Sequence, residues 1–339
     1  MKETRYKNSK LLRNKLEENE NIVIVTHVNP DGDAIGSTLA MGGVIKKLGK
    51  NVKIVTPNDF PEFLHWMQGA KDILVYFRKK NEIKKLIAEA DLILCIDFSD
   101  SGRLEKAEKI ILDSPAYKVL IDHHPDPADF TDLVISDTKL GSSAEIIYYI
   151  IKDMGFEHLI DTSIAEDLYT GIMTDTGNFS FASSYPQVWE MVAELLKKGI
   201  DKDETYSKVY DNYSEKRMRL MGYCLYENMQ VFDEYNTAVM GLSKKEMERF
   251  NHKPGDTEGF VNLPFSIRGI KLTALFLEKQ DHIRISLRSR GDFSVNELSR
   301  KYLNGGGHKN AAGGELRMSL DDAIQKFRDI LKNYKEELK

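Results

Sequence analysis

Val25-Thr26-His27-Val28-Asn29-Pro30-Asp31-Gly32-Asp33-Ala34-Ile35 packs a histidine, a glycine and two aspartates into one short segment. It follows the apolar run Ile22 to Val25 and precedes Gly36 to Leu48, which carries the spacing of a helix. A buried strand, a turn and a helix in that order open a β-α unit. His27, Asp31 and Asp33 then share the strand-to-helix loop, the place where open α/β sheets gather ligands. Oxygen and imidazole donors at this density suit a divalent ion that activates water against a phosphate.

The same alternation continues downstream. Val52–Val55, Leu92–Ile96 and Val119–Ile121 are short runs rich in Val, Ile and Leu. Helical spacing falls at Ile83–Glu89, Leu104–Leu112, Ser142–Met154, Ser163–Thr174 and Gln187–Lys198. Ser163 is the expected N-cap of its helix, with Glu166 closing a capping box. The predicted fold class is α/β: a doubly wound, mostly parallel sheet with helices on both faces. Beyond Gly199 the pattern changes. Tyr206 to Gln230 reads as one long helix, and after Val231 the strands lengthen and alternate, as in Ala238–Leu242 and Lys271–Phe276. Leu320 to Leu338 reads as a closing amphipathic helix. The expected organisation is a catalytic domain over 1–198, a helical linker over 199–230 and a smaller α+β domain over 231–339, with the active site in the cleft between the domains.

Composition narrows the function classes. The chain has 339 residues, with 30% charged, 41% apolar and a net charge of −5. That length exceeds one domain of about 100–200 residues. The acidic balance gives no global field for long duplex nucleic acid, yet allows a local basic patch for a small phosphorylated ligand. Two cysteines, Cys95 and Cys224, make no disulfide framework. No run reaches the roughly 18 apolar residues of a membrane span, and the charged N-terminus lacks a signal-peptide core, so a cytoplasmic location without membrane association is expected.

Three further segments end apolar runs or helices in metal-binding side chains: Asp97 after Leu92–Ile96, Asp122-His123-His124 after Val119–Ile121, and Asp175 in Thr174-Asp175-Thr176-Gly177. Each has an ordinary reading alone. Asp-Gly-Asp is commonly a turn, a strand-end aspartate a helix cap, and adjacent histidines a core residue beside a surface one. Strand ends of a doubly wound sheet converge on one edge, so together they predict one site from His27, Asp31, Asp33, Asp97, His123 and Asp175. Two divalent ions about 3.5–4 Å apart need a bridging carboxylate, for which central-strand Asp97 is the candidate. An oxygen-rich set without thiolate favours Mn²⁺ or Mg²⁺ over structural Zn²⁺.

A second constellation is Asn304-Gly305-Gly306-Gly307-His308-Lys309-Asn310-Ala311-Ala312-Gly313-Gly314. Glycines let backbone N–H groups approach a phosphate, although such a run is as readily a flexible loop. Nearby, period 2 puts Ile283, Ile285 and Leu287 on one face of a strand and Arg284, Ser286, Arg288 and Arg290 on the other. That basic face is either solvated or a wall for phosphate and base.

Taken together, these segments resemble the DHH phosphoesterase family, in the branch with a DHH-associated C-terminal (DHHA1) domain. Asp122-His123-His124 matches the naming triplet. His27, Asp31 and Asp33 resemble the first motif, Asp97 the second, Thr174–Gly177 the fourth, and Gly305–His308 the C-terminal signature. The resemblance implies two Mn²⁺ ions, one held by His27, Asp31 and Asp97, the other by Asp33, Asp97, His123 and Asp175. It implies that His124 and Arg103 face the substrate phosphate, that Asp122 supports the histidines, and that Arg288, His308 and Gly305, Gly306 and Gly307 hold a nucleotide. The compact two-domain bacterial members imply a bridging hydroxide acting on short oligoribonucleotides and 3′-phosphoadenosine 5′-phosphate. Hydrolysis of cyclic di-AMP or its linear product is the nearest alternative, and a non-catalytic nucleotide sensor the alternative from another class. A homodimer remains open, since no sequence feature specifies the oligomer.

Overall fold

The computed structural model describes residues 5–253 and 255–339. Its first sheet contains β1 (Asn21–Val25), β2 (Asn51–Thr56), β3 (Leu74–Val75), β4 (Leu92–Ile96), β5 (Tyr117–Asp122) and β6 (Leu133–Ser136). The spatial order is β3-β2-β1-β4-β5-β6, with every neighbouring pair parallel. Chain order therefore reverses between β1 and β4, which is where a doubly wound sheet opens a crevice at its carboxyl edge. The four apolar runs read from the sequence are the four central strands. The edge strands are not among those runs: β3 has only two residues, whereas Leu133-Val134-Ile135 of β6 is as long an apolar stretch as Val119–Ile121.

Successive side chains explain why those runs are continuously apolar. Ile22, Ile24, Leu92, Leu94, Ile96, Val119 and Ile121 enter one core, while Val23, Val25, Ile93, Cys95 and Leu120 enter the other. Both faces of the sheet are covered, so both registers of the period-2 pattern must be apolar. The first core is closed by α1 (Asn8–Glu18), α2 (Gly32–Lys47), and, after α3 (Lys80–Ala88) and α4 (Glu108–Leu112) on the opposite face, by α5 (Ser143–Asp153), α6 (Thr162–Asp175) and α7 (Pro186–Leu196). Cys95 is buried and free, and burial pushes its thiol up to about 12.

Several local expectations are corrected. Helix α2 starts at Gly32, not Gly36, because the Asp31 side chain accepts from the N–H groups of Asp33 and Ala34 and caps it. Asp33 is therefore in the first helical turn rather than in the loop. Helix α6 is capped by Asp161, which accepts from Ile164 N, so the Ser163–Glu166 capping box does not form. The expected helix over Leu104–Leu112 is a 3₁₀ segment over Ser101–Ala107, broken at Glu105 (φ 46°), followed by the short α4. The long helix expected over 206–230 is two helices, α8 (Lys202–Tyr210) and α9 (Glu215–Tyr226), followed by strand. Ser214 caps the second by accepting from Arg217 N. The chain divides into two compact units between Asn212 and Tyr213, with Val209 of α8 in the first core and Leu220 and Cys224 of α9 in a core of the second unit.

The second unit holds β7 (Met229–Phe232), β8 (Thr237–Leu242), β9 (Leu272–Glu278), β10 (Ile283–Ser289), β11 (Gly306–His308) and β12 (Ala311–Leu316), in the order β11-β12-β10-β9-β8-β7. Only β8 and β9 run parallel. Helices α10 (Lys244–Arg249), α11 (Val295–Tyr302) and α12 (Leu320–Leu331) complete it, with α12 continued by a 3₁₀ turn and the short α13 (Lys335–Leu338) rather than running unbroken to 338. No helix among the described residues is long and apolar enough to cross a membrane.

Helices α2 and α6 approach closely because glycines face the contact. A Cβ at Gly36 would lie 2.5 Å from the Asp167 carbonyl oxygen, and one at Gly171 would lie 2.8 Å from Asp33 Oδ1. This contact brings the end of α6, Asp175, beside the start of α2. Gly36→Ala is expected to cost about 1–3 kcal/mol, the range for overpacking a rigid contact, and to lower the thermal midpoint. An unchanged midpoint in calorimetry counts against this account of the helix pair.

Candidate metal centre

Each predicted ligand sits at an element boundary on the carboxyl edge of the first sheet. His27 follows β1, Asp31 and Asp33 open α2, Asp97 follows β4, Asp122 ends β5 with His123 and His124 next, and Asp175 ends α6. His27 Nε2 lies 4.0 Å from Asp31 Oδ1 and 3.5 Å from Asp97 Oδ2. His123 Nε2 lies 3.2 Å from Asp175 Oδ2, 3.7 Å from Asp97 Oδ1 and 3.9 Å from Asp33 Oδ2. Two donor groups result, His27–Asp31–Asp97 and Asp33–His123–Asp175, with the candidate ligand atoms of each within 4.8 Å of one another. Asp97 stands between them, one carboxylate oxygen toward each histidine.

The backbone and its neighbours hold these side chains in place. Asp97 adopts a left-handed conformation (φ 70°), a costly one for a residue other than glycine and one concentrated at functional sites. His27 Nδ1 is 2.8 Å from the Val28 carbonyl, so donation there leaves the Nε2 lone pair toward Asp31 and Asp97. Arg103 Nη2 lies 3.0 Å from the same Nδ1 and Arg103 O accepts from Val28 N at 2.8 Å. Burial, reinforced by the Arg103 charge against the pull of Asp31, lowers the His27 pKa and keeps the ring neutral, as a ligand must be. His123 Nδ1 faces the Leu140 carbonyl at 3.4 Å. Asp122 bonds His124 Nδ1 at 2.7 Å. Burial alone would lower the His124 pKa, but the Asp122 bond and charge outweigh it and raise it.

Asp33, Asp97 and Asp122 are buried away from water, while Asp31 and Asp175 are partly exposed. Burial pushes Asp33 and Asp97 well above the usual carboxylate range, and neighbouring aspartates push them further. Asp122 Oδ2 is buried without a hydrogen-bond partner among the described residues. Desolvated carboxylates beside neutral imidazoles form a donor set that fits hard divalent cations, whose charge would restore ionisation.

In the second unit the glycine run is not a loop but the hairpin β11–β12 at the sheet edge. Its glycines are needed largely by the protein's own packing: a Cβ at Gly305 would lie 1.9 Å from Gly313 O and one at Gly307, 2.5 Å from Ala311 O. At Gly306 and Gly313 the nearest atom would be 3.5 Å away, an ordinary contact that a side chain could make. Residues 308, 311 and 288 are in register across β11, β12 and β10, which puts His308 and Arg288 at one level on one face of the sheet. The alternation of β10 is as read: Ile283, Ile285 and Leu287 are buried, Arg284 and Arg290 exposed.

The sequence profile described as "DHH family, N-terminal domain" matches residues 21–172, and that of the "DHHA1 domain" matches 236–337. A relative from Thermus thermophilus, named "Bifunctional oligoribonuclease and PAP phosphatase NrnA", is 30% identical and covers 94% of this chain and 90% of its own length. This chain belongs to the DHH phosphoesterase family. A protein of the same name from Bacillus subtilis is 29% identical over 92% of this chain and 94% of its own length. The solved structure of an exopolyphosphatase-related protein from Bacteroides fragilis is 44% identical with a TM-score of 0.94, covering 98% of this chain and 97% of that one.

Sequence reasoning missed one contributor to this DHH site, the N-terminus of α5. Ser143 N and Ala144 N donate to Asp33 at 2.6 and 2.9 Å, and Ser143 Oγ donates to Asp97 Oδ1 at 2.8 Å. Helix N-terminal N–H groups are an anion site, and the signal was present in Gly141-Ser142-Ser143 ahead of the helix, with Ser142 accepting from Glu145 N as cap. Ser143→Ala is expected to weaken Mn²⁺ binding roughly 10- to 100-fold in calorimetry, the range for losing a ligand's hydrogen-bonded support. Ser143→Thr, which keeps the hydroxyl, should recover most of it.

A second prediction follows from the raised carboxylates. With folded pKa above unfolded pKa, the cation-free protein loses stability as pH rises through the folded value. Asp97→Asn removes that cost, and asparagine tolerates the left-handed backbone. The cation-free variant should therefore melt above the cation-free wild type at pH 8, the gap closing toward pH 4, while losing metal affinity. A lower melting point at pH 8 contradicts the electrostatic account.

Proposed function

We propose that this chain is a metal-dependent hydrolase that cleaves short oligoribonucleotides and releases phosphate from 3′-phosphoadenosine 5′-phosphate. The observation that carries the reading is Asp97, whose two oxygens face the two separate donor groups. His27, Asp31 and Asp97 would hold one divalent cation, and Asp33, Asp97, His123 and Asp175 a second, with Mn²⁺ the proposed ion and Mg²⁺ its substitute. When bound, such a pair lowers the pKa of water to yield a nucleophile near neutral pH and neutralises charge on the phosphoryl group.

The chain's own residues supply the remaining tasks. His124, kept protonated toward higher pH by Asp122, would donate to a phosphoryl oxygen. Arg103, held next to His27 by its backbone bond to Val28, would take up charge on the same phosphate. In the second unit, Arg288, His308 and the backbone at Gly305, Gly306 and Gly307 would hold the nucleotide. The names of the relatives from Thermus thermophilus and Bacillus subtilis support the choice of short RNA and the bisphosphate.

The test is turnover of a diribonucleotide, 3′-phosphoadenosine 5′-phosphate and cyclic di-AMP by one preparation. Hydrolysis of the first two is expected in Mn²⁺, loss with chelator, and return on adding Mn²⁺. Exclusive turnover of cyclic di-AMP would reassign the substrate, and nucleotide binding without turnover would mark a sensor. Arg288→Ala and His308→Ala should each raise KM for the bisphosphate about tenfold or more, as for loss of one charge-assisted bond, with a smaller effect on kcat.

A further inference from the structure

We propose that the loop from Gly177 to Tyr185 carries a nucleobase subsite, with the ring of Phe181 as its stacking platform. The proposal rests on the nucleotide reading above and extends it to the part of the substrate that the metal centre does not touch.

The loop leaves the metal centre directly, starting two residues after Asp175. The Phe181 ring lies against its first residue: a Cβ at Gly177 (φ 55°) would fall 2.3 Å from Phe181 Cζ. The far side of the loop rests on Gly141, where a Cβ would fall 2.6 Å from the Ala182 carbonyl oxygen. Gly141 adjoins Leu140, whose carbonyl faces His123, and lies two residues before Ser143, which bonds Asp97. The loop is thus wedged between Asp175 and the segment that positions His123, Asp33 and Asp97. A nucleotide with its phosphate at that centre has its base within reach of this loop.

A lone exposed phenylalanine is ordinary on a protein surface. What distinguishes Phe181 is how much structure holds it there. Asn178, Phe179 and Ala182 all adopt left-handed backbone (φ 54°, 60° and 49°). Such strain persists only where surrounding structure enforces it, and it clusters at ligand clamps. The enforcement is visible. Thr176 Oγ1 donates to Ile172 O at 2.6 Å and accepts from Phe179 N at 3.0 Å. Ser183 Oγ donates to Phe179 O, Trp189 Nε1 to Ser183 O, and the Tyr185 hydroxyl to Glu145 Oε2 at 2.6 Å.

The two phenylalanines of the loop play different parts. Phe179 is tied into the fold, its ring 5.0 Å from Trp189 and 5.8 Å from Tyr169. Phe181 is 46% exposed, and no aromatic ring of the described residues stacks on it. The Cε1–Cζ–Cε2 end of its ring meets Gly177, and close to half of the residue is open to solvent. Every nucleobase has a π-face, so such a platform binds bases with little preference among them.

The test compares Phe181→Ala and Phe181→Trp with wild type on 3′-phosphoadenosine 5′-phosphate and on its abasic counterpart. Phe181→Ala should raise KM for the adenosine compound by roughly 5- to 150-fold, the range that base–aromatic stacking corresponds to. KM for the abasic compound, kcat, Mn²⁺ affinity and thermal midpoint should stay near wild type, and Phe181→Trp should keep wild-type KM. Equal effects on both compounds, or none on either, overturn the subsite. Calorimetric binding of adenosine 5′-monophosphate in Mn²⁺ reads the subsite without turnover. Phe181-dependent binding by a protein that hydrolyses nothing defeats the proposed activity alone. Normal hydrolysis with binding indifferent to Phe181 defeats the subsite alone.

Discussion

The first unit is organised around a repulsion. Its sheet edge gathers Asp31, Asp33, Asp97, Asp122 and Asp175, and all but Asp31 and Asp175 are buried. Asp33 and Asp175 place oxygens within 4.8 Å of each other. Two unit charges at that spacing repel by about 3–4 kcal/mol even at an effective dielectric of ~20. One hydrogen bond to a charged group returns about 1.5–3 kcal/mol. The donations from Ser143 and Ala144 to Asp33 match a repulsion of that size, and the separate cost of holding Asp33, Asp97 and Asp122 away from water is what a bound cation would offset. Raised carboxylate pKa values are the same imbalance seen from the proton's side.

That constraint accounts for features that look unrelated in isolation. The reversal of strand order between β1 and β4 opens the crevice, so His27 and Asp97 come from adjacent strands. The glycines of α2 and α6 let two helices approach until Asp175 joins Asp33. The left-handed backbone at Asp97 and the N-terminus of α5 fix the shared carboxylate. Each is a local cost in conformation or packing, and each brings a donor to one small volume.

Much of this was legible in the chain. Ile22–Val25, Leu92–Ile96 and Val119–Ile121 read as strands because both faces are buried, and the aspartates and histidines that end them read as a site because parallel strands share one edge. The legible part fails where partners are backbone atoms or distant segments. The donors to Asp33 are N–H groups, which every residue carries, so nothing in their identity marks them. The cap of α6 was misplaced by two residues because Asp161 and Ser163 are both good caps, and only the chain's path selects between them. The glycine run of the second unit announced open backbone. The hairpin shows that Gly305 and Gly307 are glycines because neighbouring backbone occupies the space.

By itself, the sequence determined the α/β class, the central strands and the candidate metal-ligand side chains. Those depend on periodicity and on residue chemistry, both of which are local. Only the tertiary structure decided which candidate ligands share a group, that Asp97 faces both, that Ser143 bonds it, and that Phe181 stands partly exposed against Gly177. Those depend on distances between segments far apart in the chain, set by strand order and by how closely two helices pack.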